Sequence, residues 1–504
     1  MLDRVVVERH KTYRSYYQII TQDIGASSLE AFWISISFLL AAVAFQPAHT
    51  AMSDIFGRKL VLYVCCLFFV IGLVVFGTAE SPTTIIIGRT IQGFGGGGLE
   101  ALSEVILTDI TTLKERPLYL GIMSFFWAGA AVAGPPIGGA LAEYTTWRWL
   151  AWILLPFIGV ALILIHPTLT LRQDRNSIML KLTRVDWLGL LLSVSAATMV
   201  LFAITAGGQI FPWSSVQILT PLCLGIICTI LFCYFETKTS SPMLSPEILA
   251  TRTVTAAMFG ALLHGIATWC MLYFAPLFFE SVLLHTPIEA AVDGLSFGLT
   301  ATPFAILTAF MIEFSRRYLW SIGIGWALAT IGSGCLIALS SGTAVVPARA
   351  LFIPAGIGLG MLYPSLAMPI QAGVHVDRAG TATGMLVFFR NLGSTIGVGV
   401  GSSIFTTQFQ RNFGRANLEY SSFGMRNAQN AIDRIPGLRG LAVSPFVMQN
   451  LLQVYSDSFK AVCVFMTVVT GIGLLTTLFI KELSFETEEE GRQALDVRMD
   501  DLQS

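Results

Sequence analysis

Between residues 84 and 107 the chain reads TIIIGRTIQGFGGGGLEALSEVIL, an apolar run that also carries Arg89, Gln92, Glu100 and Glu104. On an α-helix, Arg89 and Glu100 fall about 20° from a common face and Glu104 about 60° from it. They form a polar stripe, about 16 Å long from Arg89 to Glu100. Ionisable groups are costly at such depth and usually face a wet cavity or a proton path. A carboxylate there can take up and release a proton, and a guanidinium near it would bias it toward the charged form. Glu104 lies closer to the end of the run, where snorkelling to the interface is as good an account as function. Arg390 and Asn391, in FFRNLGSTIGVGVG, are further polar residues inside an apolar span. His264 and Glu280 also sit in or at the end of one. A lone histidine on an apolar helix reads as hydrogen-bonded packing.

Elements of membrane-spanning length must position these groups. The chain has 504 residues, 54% hydrophobic and 12% charged, about half the charged share usual for soluble domains. Its mean hydropathy is +0.71. A spanning helix needs about 20 apolar residues. Such runs fall at 33–51, 60–79, 84–107, 118–141, 149–167, 185–206, 216–235, 253–279, 290–311, 319–339, 350–370, 382–405 and 459–480. The fold class is therefore an all-α polytopic membrane protein. A β-barrel would show short alternating segments, and none occur.

Loop charges sort by side. Arg58, Lys59, Lys114, Arg116, Arg172, Arg175, Lys181, Arg184, Lys238, Arg252, Arg316, Arg317 and Arg378 fall in one alternating set of loops. The other short loops hold only Arg148 and Arg349. Basic residues in short loops stay on the cytoplasmic side, which places the acidic C-terminal tail, 481–504, inside. With thirteen spans the charged segment 1–32 would then lie outside, against the trend of every other short segment. A fourteenth helix ahead of Trp33 would remove the conflict.

Three glycine-bearing stretches have mechanical readings. In AMSDIFGRKL, Gly57 permits a tight turn between helices, Asp54 can pair with Arg58, and Arg58 and Lys59 mark the inner side. Gly93 opens GFGGGG, which satisfies a dinucleotide pattern, yet no strand precedes it. Its glycines instead allow close approach of helices. In WAGAAVAGPPIGGALAEY, Gly129 precedes a stripe of Ala130, Gly134, Gly138 and Ala142 at four-residue spacing. Such a stripe suits tight packing, while Pro135 and Pro136, just before Gly138 and Gly139, remove backbone donors and bend the helix. No Walker A pattern, catalytic set or metal cluster stands out, and the eight cysteines are scattered through apolar runs. These features speak against an enzyme or an ATP-driven pump, and a net charge of −1 gives no argument for nucleic acid.

In this order the motifs resemble the major facilitator superfamily, and within it the fourteen-helix drug:proton antiporters of the fungal toxin and multidrug exporter type. SDIFGRK is similar to the family's signature loop between helices 2 and 3, although Ala51 or Met52 stands where glycine is usual. GRTIQGFGGG is similar to the helix 4 motif, whose arginine, here Arg89, is associated with proton coupling. GAAVAGPPIGG is similar to the antiporter motif of helix 5, associated with exporters. Asp109 followed by LKERPLYLG, with Arg116 on the inner face, and FFRNLGSTIGV extend the match. The resemblance implies a major facilitator fold of two pseudo-symmetric helix bundles plus two extra linker helices. The bundles would span 33–167 and 253–480, the second with a long extracytoplasmic loop at 406–458, and 168–252 would hold the linker pair. About 13 spans are visible where 14 are expected, and helix 1 has no counterpart ahead of ITQDIGASSLEAFW.

The implied function is that of a transmembrane secondary transporter: proton-coupled efflux of toxins, drugs or secondary metabolites by alternating access. Arg89, Glu100 and Glu104 are the proton-coupling candidates, no cofactor is needed beyond the proton gradient, and the partners are a small hydrophobic or amphipathic substrate, protons and the bilayer. A monomer in the plasma membrane is expected. A nutrient importer of the same superfamily and a truncated, non-transporting regulatory protein are the rival readings.

Overall fold

The computed structural model describes residues 20, 23–171, 178–239, 242–425, 427–432, 434–441, 443–484 and 493. The stretch 1–19, on which the missing-helix expectation rests, lies outside the described residues. So does most of the acidic tail.

Among the described residues the chain forms thirteen long helices. In the first half these are α1 (Ser28–Phe56), α2 (Arg58–Gly77), α3 (Pro82–Ile110), α4 (Arg116–Tyr144) and α5 (Trp149–Thr168). Two follow as a linked pair, α6 (Trp187–Ala206) and α7 (Val216–Glu236). The second half holds α8 (Arg252–Ser281), α9 (Pro287–Ser315), α10 (Leu319–Cys335), α11 (Val345–Ser365), α12 (Ala379–Arg415) and α13 (Pro445–Thr476). Ten of them are long and apolar enough to cross a membrane. The other three, α3, α4 and α12, have 29, 29 and 37 residues, longer than the roughly 30 Å hydrocarbon core requires.

Local chemistry sets the helix ends. Ser27 and Glu30 form a reciprocal capping box at the start of α1, and Thr286 and Glu289 form another at α9. Gly57, at φ +99°, separates α1 from α2 in a single residue, a conformation that side chains disfavour.

Within the first half, α3 packs on α1 and α2; within the second, α12 packs on α8 and α13. The halves meet where α12 crosses α1 and α3, and where α4 crosses α9. The linker pair α6 and α7 packs on itself, and α6 also touches α1 and α12. Glycines set the α3 distances: a Cβ on Gly93 would lie 2.3 Å from the Phe38 carbonyl oxygen, and one on Gly97 2.2 Å from that of Ala42.

The segment 406–458 differs from a plain loop. The helix α12 runs on to Arg415 and α13 begins at Pro445, because helical backbone persists past the charged residues that end the hydropathy signal. Between them Tyr420 stacks on Phe413 with ring centroids 4.2 Å apart, and the Tyr455 hydroxyl donates to the Ala431 carbonyl oxygen at 2.8 Å.

Candidate functional site at the seam between the halves

The polar residues of α3 meet their partners on helices of the other half. Glu104 Oε1 accepts from Arg390 Nη1 at 2.9 Å and from the Tyr363 hydroxyl at 3.0 Å. The Arg390 guanidinium lies over the Tyr363 ring, 4.1 Å from its centroid. One turn away, Glu100 Oε2 accepts from Asn391 Nδ2 at 2.8 Å and from Gln46 Nε2 at 3.3 Å. The two carboxylates differ in access: Glu104 is buried and Glu100 is exposed among the described residues. Glu104 Oε2 is buried without a hydrogen-bond partner among those residues.

Arg89 lies at the far end of the polar stripe from the carboxylates. It does not sit beside Glu100: its Nη1 donates to Gln92 Oε1 at 3.0 Å, and its guanidinium lies 4.8 Å from the Phe38 ring centroid. A shared helix face does not bring groups together when about 16 Å of helix axis separates them. The cation beside the carboxylates is Arg390. Glu104 is likewise no snorkelling residue, since it points into the seam and pairs with that arginine.

A second polar lattice lies at the end of the seam that carries Gly57. Arg58 pairs with Asp54 at 2.6 Å and with Asp109 at 2.9 Å. Asp54 also accepts from Thr381 Oγ1, on α12, at 2.9 Å. Thr108 and Thr383 hydroxyls lie 3.1 Å apart across the same boundary, and Arg316 Nη1 donates to the Lys114 carbonyl oxygen at 3.0 Å. Arg116 closes the end of α3 by donating to the Thr108 and Thr111 carbonyl oxygens at 2.7 and 3.3 Å. Lys59 stays apart from the seam and donates to the His166 carbonyl oxygen at 2.9 Å.

The α4 motif is placed differently. A Cβ on Gly129 or Gly134 would meet nothing within 4 Å among the described residues, and one on Gly138 only Leu150 Cδ2 at 3.5 Å. Pro135 and Gly139 belong to the unbroken helical course of α4. At its other end α4 is close-packed, with Gly121 facing Ala309 of α9.

Beside the seam, residues of α4, α8, α9 and α11 line a partly open cavity. Trp127, Thr268, Leu272 and Phe297 are among its lining residues. Tyr363 belongs to both the cavity wall and the Glu104 cluster. His264 is a buried packing residue: its Nε2 lies 3.0 Å from the Leu359 carbonyl oxygen.

Several polar residues were not singled out from the sequence. Gln46 and Tyr363 lie in apolar spans without any motif. Asp293, in the span 290–311, pairs with Arg349 and His285. A buried aspartate inside an apolar run was the signal available for that group.

Two helix bundles meeting along a polar seam, with a cavity against it, define a helical membrane transporter rather than an enzyme. The Major Facilitator Superfamily profile matches residues 12–185. The chain is 35% identical over 468 residues to MFS transporter L2 of Phoma sp., covering 92% of this chain and 78% of that protein. It is 33% identical over 469 residues to the MFS-type efflux pump MMF1 of Pseudozyma antarctica, covering 92% and 86%. The solved proton:xylose symporter XylE, bound to 6-bromo-6-deoxy-D-glucose, shares the fold, with a TM-score of 0.54 at 12% identity over 94% of this chain and 93% of that one. This chain belongs to the major facilitator superfamily.

Proposed function

We propose that the chain is a proton-coupled exporter of small hydrophobic or amphipathic molecules such as toxins, drugs or secondary metabolites. It acts as a monomer in the plasma membrane, with its C-terminus in the cytoplasm. Export is supported by the relative MMF1, named an efflux pump. The side assignment is supported by the Lys/Arg asymmetry of the short loops.

One observation carries the coupling: Glu100 and Glu104 of one half are held by Asn391 and Arg390 of the other. A proton taken up by Glu100 neutralises it. Its neutral form accepts more weakly from Asn391, because hydrogen bonds to a charged group are the stronger ones. A proton on the free oxygen of Glu104 then removes the attraction to Arg390 across the seam. Both steps weaken the tie between α3 and α12, and the halves are free to rock apart at that end in alternating access. Tyr363 joins this tie to the cavity, so a molecule seated there that displaces its hydroxyl loosens Glu104 as well. Asp54, Gly57, Arg58 and Asp109 serve as the inner gate, and the stripe at Gly134 and Gly138 closes against a partner in the opposite state.

The test is flux of a fluorescent hydrophobic cation in proteoliposomes with an imposed proton gradient. The expected result is substrate movement opposite to the proton flow, lost in Glu100→Gln. Unchanged gradient-driven flux in that variant would overturn the coupling role of Glu100. Movement in the same direction as the protons would favour the importer.

A further inference from the structure

An open groove on the outer surface of the helix bundle separates the beginning of α8 from the end of α13. Leu249, Phe259, Leu475 and Phe479 line it, and all four are exposed. An exposed apolar groove on a membrane-spanning bundle offers an acyl chain a surface to lie along.

The rim of the groove is charged. Arg252 lines it, and its guanidinium lies 4.4 Å from the Phe479 ring centroid. Arg252 is exposed and has no carboxylate partner among the described residues. Lys481, also exposed, is held at the same end, because its backbone N–H donates to Thr253 Oγ1 at 3.3 Å. The acid next in sequence, Glu482, does not neutralise this pair. Its carboxylate accepts from the backbone N–H groups of Tyr318 and Leu319 at 2.8 and 3.2 Å. Glu247, on the short turn before α8, pairs with Arg378. Arg252 thus stands at the rim of an apolar groove, and Lys481 is anchored through its backbone to Thr253, the next residue along α8.

We propose that this groove binds one anionic glycerophospholipid. Its phosphate sits on Arg252 and Lys481, and one acyl chain runs along Phe259 and Leu475. A guanidinium binds phosphate through charge-assisted, paired hydrogen bonds, and Lys481 adds a point charge. A zwitterionic lipid would fill the apolar groove but satisfy the two cations less well. The proposal takes from the functional reading only the inner orientation of this face, and the cytoplasmic leaflet is where anionic lipids are concentrated.

The experiment uses the full purified chain in detergent. It is given equal amounts of phosphatidylserine and phosphatidylcholine with the same acyl chains, and retained lipid is counted by native mass spectrometry. One phosphatidylserine is expected per chain, in preference to phosphatidylcholine. Arg252→Gln and Lys481→Gln should each lower that preference about fivefold. Arg317→Gln, an exposed cation on the same side, should leave it unchanged. Equal retention of the two lipids would overturn the proposal, as would wild-type preference in Arg252→Gln or an equal loss in Arg317→Gln. No gradient or transported molecule is involved, and lipid in detergent reaches either face. A failure here therefore leaves the transport reading intact, and a failed flux assay leaves this site intact.

Discussion

Two glycine-rich helices of the first half, α3 and α4, look alike in sequence and are used differently. In α3, Gly93 and Gly97 face α1, and Gly95 faces α2 with a Cβ position 2.5 Å from the Cys65 carbonyl oxygen. In α4, Gly129 and Gly134 face open space among the described residues. Small residues permit close approach but do not supply the neighbour. In α3 they have become part of the body of one half. In α4 they remain a smooth surface, while Gly121, near the start of the helix, is packed against α9. The difference separates glycines buried in contacts within one half from glycines left uncovered among the described residues.

The largest effect should come from filling the closed stripe. Gly97→Leu drives a side chain into α1 backbone and should cost more than the about 1–3 kcal/mol of ordinary overpacking. The check is loss of monodisperse protein on size exclusion. A normally folded Gly97→Leu would erase the distinction between the two helices.

Next comes the polar edge of α3. Glu104→Gln leaves Arg390 buried without its counter-ion and should cost about 3–5 kcal/mol. The double variant Glu104→Gln/Arg390→Met should recover much of that loss, read as melting temperature in a double-mutant cycle. Additive losses would show that the pair does not tie the halves together.

Gly134→Leu, on the open stripe, sharpens the comparison from the other side. Its melting temperature should stay close to wild type while transport falls at least tenfold, because a second state needs that surface smooth. Wild-type flux at equal expression would remove the moving role. The smallest effect is expected for Arg89→Ala. It loses the contact with Phe38 and the hydrogen bond to Gln92, about 1 kcal/mol together. Gradient-driven flux should fall less than in Glu100→Gln; an equal or larger fall would return Arg89 to the coupling group.

The spans and the family motifs were legible because burial in hydrocarbon imposes long apolar runs, and loop charge imposes sidedness. The polar residues of α3 and the Arg390–Asn391 pair stood out for the same reason, as costly groups in apolar runs. Their partnership did not. Glu104 and Arg390 are 286 residues apart, and no local pattern connects them. Helix-face geometry put Arg89 on the same stripe, about 16 Å away along the helix axis, and could not supply the cation that meets the carboxylates. Gln46 and Tyr363 were missed because a single polar residue or tyrosine in a span has no signature until something packs against it.

The membrane-embedded helical class, the order of the spans and the places where helices could come close are legible in the chain alone. Those follow from hydropathy, charge and side-chain size, which act locally. Tertiary structure alone decided which carboxylate meets which cation, which glycine stripe is filled and where a cavity touches the charged seam. Those depend on how separate helices are brought side by side, and residues far apart in the chain supply the two halves of every such contact.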